Sequence, residues 1–259
     1  MSSSESSKSA TKISGSSLGD LLASVQHQFA MDKMSLAELR EAIHEIPASA
    51  DDQDLVNVAI TGANGQHNAL MRLDHPVRLQ VEGSLGDYAF AFSSQADVRT
   101  TGGVGHGVAE GMIGGTIRVR GDAGDGAGAA MSGGTLAVYG NAGHRCGGAM
   151  RGGGIFVRGD VGDECGIGAL GGMLVIGGNA GHNLGDAMNN VTVFVRGKYK
   201  SLAPGVTEAP LRKRETLRLG LLLINASIRG DSKDFRRIVP EAMLAAEMAG
   251  RGEVNPHWR

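Results

Sequence analysis

Proline and cysteine are scarce in this chain, with six prolines and two cysteines in 259 residues. Two cysteines cannot build the disulfide framework of a small secreted domain, and a chain of this length buries a core without staples. No apolar run approaches the ~18–20 residues of a membrane-spanning helix. The opening residues, MSSSESSKSATKISGSS, have no apolar centre. They do not read as a secretory signal, and the chain reads as cytoplasmic. Neither sign of charge is in surplus, with 25 Lys and Arg against 27 Asp and Glu, so nothing points to a nucleic acid or a membrane surface as partner. Gly-x-x-Gly segments are present, but none precedes a helix or carries the Gly-Lys-Ser/Thr of a phosphate loop. No isolated nucleophile stands out.

What the chain has in abundance is glycine, 42 residues of it, without the Gly-X-Y period of collagen. The spacing is strict. Gly83, Gly102, Gly121, Gly140, Gly159, Gly178 and Gly197 lie 19 residues apart, and Gly86, Gly105, Gly124, Gly143, Gly162 and Gly181 follow the first six by three. Each unit ends in a short alternation of apolar residues with inward positions at Val98; Ile117 and Val119; Leu136 and Val138; Ile155 and Val157; Leu174 and Ile176; Val193 and Val195. Alternation means a strand with one buried face, and the same phase in successive units means parallel strands stacked one per turn. A 19-residue turn has a perimeter of roughly 60 Å. The fold class expected is therefore all-β: a single-stranded right-handed parallel β-helix with small α-helical caps at either end. Glycines stand at its corners, for positive φ or close approach, and Met112, Met131, Met150 and Met188 fill its interior.

The organisation expected is a disordered Ser-rich tail over 1–17, a helical and strand cap over 18–78, the coil over 79–201 and a helical extension over 202–259. In the front cap, Ser35 and Glu38 fit a capping box for a helix over Ser35–Ile46, closed by Pro47. Leu55–Ile60 reads as a strand. In the extension, Lys198–Glu208 is an exit loop, Leu211–Ile228 a helix, Asp234–Pro240 a link, and Pro240–Ala249 a second helix.

The fifth position of the repeat reads Asp87, His106, Asp125, His144, Asp163, His182, a strict alternation. Stacked ~4.8 Å apart, these side chains form one ladder along a face. The second position gives a shorter column, Asp122, Asn141, Asp160 and Asn179. Stacked carboxylates repel and Asp–His neighbours hydrogen-bond, which is a structural reason for the alternation. A partner-recognition surface and a divalent-metal site are the other two readings. Sixfold repetition favours structure, because a solitary site would not recur on every turn. Cys146 and Cys165 fall at the seventh position of successive turns, with Ala89, Val108, Ala127 and Leu184 at the same place elsewhere. They are close enough for a disulfide on distance alone, and their apolar company predicts two buried thiols.

The run from Val81 to Ser201, with units such as GDAGDGAGAAMSGGTLAVYGNAG, resembles the GXGXG β-helix domain of the glutamate synthase family. That domain ends the large synthase subunit and also occurs as a free-standing small subunit, as in N-methylglutamate synthase. It occurs too as the β-helix subunit of formylmethanofuran dehydrogenase and of related formyltransferase/hydrolase complexes. The flanks resemble the synthase-type subunit: the Ser35–Pro47 helix, Glu82–Tyr88, Val195–Lys198 and Asp234–Arg237. This resemblance implies a non-catalytic structural subunit of a hetero-oligomer acting in amine-nitrogen metabolism. Its partners would be a glutaminase-type amidotransferase subunit and a glutamate-synthase-like subunit carrying FMN and an iron–sulfur cluster. No catalytic, cofactor or metal residue maps onto this chain. A self-assembling scaffold without enzyme partners is the remaining alternative.

Overall fold

Eleven strands join one sheet in the computed structural model, which describes residues 25–48, 55–225 and 230–250. The expected tail over 1–17, the acidic link before β2, residues 226–228 of the expected extension helix and the C-terminal residues lie outside those described. The body is a β-solenoid. From β2 (Val56–Asn64) the chain coils through β3 (Val77–Ser84), β4 (Asp97–Thr100), β5 (Thr116–Val119) and β6 (Thr135–Val138) to β7 (Gly154–Val157), β8 (Gly172–Ile176) and β9 (Val191–Val195). Each of these strands pairs in parallel with the next. Leu79, Val98, Ile117, Leu136, Ile155, Leu174 and Val193 stack as one column, 19 residues to the turn. All seven are buried, and Met112, Met131, Met150 and Met188 complete the same core.

A second inward stack runs along the next side, where Leu85, Val104, Ala123, Ala142, Val161, Ala180 and Tyr199 bridge turn to turn. Of the seven first-position glycines, only Gly83 has a positive φ, +110°. The rest answer to close approach: a β-carbon on Gly121, for instance, would stand 2.7 Å from the Gly103 nitrogen of the turn before.

The solenoid ladder extends ahead of residue 79. Val56–Ile60 of the expected strand lies in β2, in register with β3, so it is a rung of the coil rather than a separate piece packed on its end. β1 (His27–Ala30) pairs in parallel with β2 in turn. Between them α1 (Leu36–His44) carries the capping box, with Ser35 and Glu38 bonding reciprocally, and buries Leu39 and Ile43 against the front of the core.

The far end holds the expected pair of helices and adds two strands that were not expected. The exit segment holds β10 (Val206–Ala209), and the DFRRIVP segment holds β11 (Arg236–Pro240) rather than a link. β11 runs antiparallel to β9 and to β10, closing the last parallel rung. α2 (Lys213–Asn225) and α3 (Glu241–Met248) complete the extension.

The outward face of the sheet changes character along its length. Gln80, Arg99 and Arg118 stack at one outward position in the early turns, and Ala137, Phe156, Val175 and Phe194 continue the same column. The apolar half is covered: Leu219 and Leu223 of α2 and Phe235 pack on Phe156, Val175 and Phe194 in a second core. Arg237 extends the column beyond Phe194 and is 1% exposed. Glu215 and Glu247 close on its guanidinium at 2.9 and 2.6 Å, tying α2, β11 and α3 together.

Candidate functional site: a main-chain-capping polar ladder

Each solenoid turn leaves the sheet at a glycine corner, bridges at the inward stack, and reaches an outward residue at the fifth position. There the structure aligns Asp87, His106, Asp125, His144, Asp163 and His182. It adds one residue that sequence spacing hid, His67, which precedes Asp87 by 20 residues where the repeat has 19.

The ladder side chains do not chiefly bond one another. Each from His67 to Asp163 accepts the main-chain N–H of the ladder residue one turn on. The Asp87 amide donates to His67 Nδ1 at 3.0 Å and the His106 amide to Asp87 Oδ1 at 2.8 Å. Asp125 donates to His106 Nδ1 at 2.9 Å, His144 to Asp125 Oδ1 at 2.7 Å, Asp163 to His144 Nδ1 at 3.0 Å and His182 to Asp163 Oδ1 at 2.7 Å. The side-chain pairs His106–Asp125 and His144–Asp163 stand further apart, at 3.7 and 3.9 Å, and His67–Asp87 comes to 3.2 Å at the start of the ladder. Past the His67–Asp87 pair, the expected direct Asp–His hydrogen bonding is therefore replaced by main-chain capping. The physical reason is that an amide at this corner points along the solenoid axis and needs an acceptor on the turn before. Carboxylate oxygen and the lone pair of Nδ1 serve equally well, which places the imidazole proton on Nε2, toward solvent.

The second-position column works the same way. The Asn141 amide donates to Asp122 at 2.6 Å, Asp160 to Asn141 at 2.9 Å, Asn179 to Asp160 at 2.6 Å and Lys198 to Asn179 at 2.9 Å. Both columns explain the fourth- and first-position glycines beside them. The carboxylates of Asp87, Asp125 and Asp163 occupy the space a β-carbon would need at Gly105, Gly143 and Gly181.

One acceptor on each side chain from His67 to Asp163 is thereby engaged in holding turns together. Among the described residues, no group of three or more His, Cys, Asp or Glu is placed to hold a metal ion. Cys146 and Cys165 are free and buried. A hydrogen bond with Cys146, then burial, pushes the Cys165 thiol well above its ordinary range, which removes it as a nucleophile at neutral pH.

Two results are expected of the ladder. His144→Ala removes one exposed acceptor, from the Asp163 amide, and lowers stability by about 0.5–1.5 kcal/mol. His144→Asn, whose Oδ1 supplies the same acceptor, recovers most of the loss in urea unfolding. The second result concerns acid. The His182 N–H bonded to Asp163 holds its carboxyl below the usual carboxylate range, helped by nearby Lys200, His182 and His144 and opposed by desolvation. A lowered folded value means the contribution is fully present above the unfolded value of about 3.9. It is lost as pH falls through the lower folded value. The urea midpoint should therefore keep Asp163's contribution from neutral pH to about pH 4 and shed it below. Asp163→Asn, which keeps the acceptor and does not titrate, should show a smaller drop over that acid range.

No protein-family model matches the chain. Among curated proteins, Protein GlxC of Rhizobium meliloti (strain 1021) is 34% identical over 82 residues, which is 32% of this chain. The match spans about a third of that relative, 35% of its length.

Proposed function

We propose that this chain is a non-catalytic structural subunit of a glutamate-synthase-like assembly, holding an amidotransferase chain against a redox synthase chain. The observation that carries the reading is the ladder itself. The regular column of Asp and His, the best chemical candidate in the sequence, is engaged turn by turn in capping main-chain amides. A solenoid built this way is a stiff rod with its recognition surface on the outside, suited to keeping two partners in register. The partial likeness to Protein GlxC and the GXGXG repeat pattern support a coarse link to the glutamate synthase family.

The partners on this reading are a glutaminase-type amidotransferase and a synthase-like subunit that carries FMN and an iron–sulfur cluster. N-methylglutamate formation in methylamine use is the specific reaction proposed. The test is purification of the tagged chain from its native cells at near-physiological salt, with mass-spectrometric identification of co-purifying chains and an absorbance scan. Recovery of both partner chains with flavin and iron–sulfur absorbance supports the proposal. Formyltransferase and amidohydrolase partners without flavin would move the chain to a one-carbon complex, and a homo-oligomer alone would leave only a scaffold.

A further inference from the structure

Two outward side chains are explained by neither the ladder nor the helical cover. Tyr88 and Phe92 sit at φ of 58° and 59°, in the left-handed region where a β-carbon is crowded. One turn on, the same two positions are Gly107 and Gly111, at 64° and 63°. Phe90, between the two aromatics, is also left-handed, but its ring is wholly buried and the core accounts for it. Tyr88 and Phe92 remain 46% and 48% exposed. The coil sets this backbone at both columns in every turn, with Arg145 and Glu164 in the one and Ala130 and Ala149 in the other; what is particular to this turn is the pair of exposed aromatic rings.

Their rings are laid flat by the next turn. A β-carbon on Gly107 would stand 2.7 Å from the Tyr88 ring, and one on Gly111 would stand 2.5 Å from the Phe92 ring. Glycine at these places lets both rings rest on the solenoid surface. Ile113, two residues past Gly111 in the chain, is 61% exposed. On the other side, Arg72 takes the place of Phe92 one turn earlier, also left-handed at 55°. With Arg40, Glu41, His44 and Asp74 it lines an open groove of about 500 Å³. His44 faces Asp74 at 3.2 Å, whereas Arg40 and Arg72 have no ion-pair partner among the described residues.

We propose that this aromatic platform and its arginine rim form a docking surface for one partner chain. The segment it takes carries an aliphatic or aromatic side chain against the Tyr88 and Phe92 rings and a carboxylate against Arg40 and Arg72. Preorganised aromatic and arginine side chains are what interface hot spots are made of. With Asp74 facing His44, two guanidiniums stand against the single carboxylate of Glu41, and that positive balance favours an acidic segment over a basic one. This inference rests on the scaffold reading and adds the face and the chemistry of the contact.

The test uses the full tagged chain in its native cells. In the double variant Tyr88→Gly and Phe92→Gly, glycine suits the left-handed backbone, so the thermal midpoint stays level or rises while partner recovery falls at least tenfold. Gly111→Ala is the second variant. Its column already holds left-handed Ala130, Ala149 and Ala187, so the fold accepts it while the Phe92 ring is lifted and recovery drops. A photo-crosslinking residue at Ile113 should trap a carboxylate-bearing segment of the partner, and one at His182 should not. Undiminished recovery with the double variant overturns the surface and leaves the scaffold reading standing. A fall in thermal midpoint matching the fall in recovery also overturns it, by making the rings fold elements. Absence of any partner with the unsubstituted chain overturns both.

Discussion

Gly162→Ala should destabilise the solenoid by about 2–3 kcal/mol, a large loss for one methyl group. The added β-carbon would stand 2.7 Å from the His144 nitrogen, 2.8 Å from the Gly143 carbonyl carbon and 2.9 Å from the His144 Cα. These are main-chain atoms of the preceding turn, so no rotamer relieves the contact. The turns must part, and parting lengthens the bonds from the Gly162 amide to the Ala142 and Gly143 carbonyls, both 3.1 Å. Gly168→Ala is the matched control. Gly168 has φ +63° with nothing within 4 Å of its added β-carbon, at a position where other turns carry alanine. Its substitution should shift stability by less than about 1 kcal/mol. Urea unfolding of both, with unchanged m-values, separates close approach from backbone conformation as the reason for glycine.

Arg237→Ala should cost about 3–5 kcal/mol, the usual penalty for breaking a buried ion cluster on one side. It leaves Glu215 and Glu247 facing each other without the guanidinium that lies 2.9 and 2.6 Å from them. Arg212, 3.0 Å from Glu215 and 3.4 Å from Glu247, is 41% exposed at its side chain and offsets only part of the loss. The damage should stay local. α2 and α3 come away from the sheet, exposing Phe156 and Phe194, while the turns from β2 to β8 hold. Limited proteolysis should cut first between residues 210 and 250, and dye binding to the bared apolar stripe should rise before the solenoid unfolds. Global unfolding without that first step would mean the extension is integral to the coil.

The solenoid was legible because its signal is repeated: the 19-residue glycine spacing and the phase from Val98 to Val195 leave little choice of register. What escaped had lost the period. β2 meets β3 at 21 residues, as in Val58 and Leu79, and His67 meets Asp87 at 20. One or two extra residues hide a rung from spacing while costing the stacked backbone little. β11 escaped for another reason. Its Arg236 and Arg237 look like a solvated link, and only the Glu215 and Glu247 side chains, remote in sequence, make Arg237 a buried residue. The ladder's alternation was readable, but its purpose was not, because the amides it caps carry no signature in the sequence. The exposed rings of Tyr88 and Phe92 have no signature in the spacing, because the glycines beneath them, Gly107 and Gly111, belong to the next turn.

The measurement that bears most directly on the scaffold claim is reconstitution of the two proposed partner chains, once purified, with and without this one. Glutaminase activity, ammonia- or amine-dependent synthesis, and glutamine-driven synthesis would be followed side by side. The account predicts that both partial reactions survive without this chain, that glutamine-driven synthesis needs it, and that the His144→Asn chain restores that coupling. Full coupling without this chain, or loss of a partial reaction in the His144→Asn assembly at undiminished stability, would contradict it.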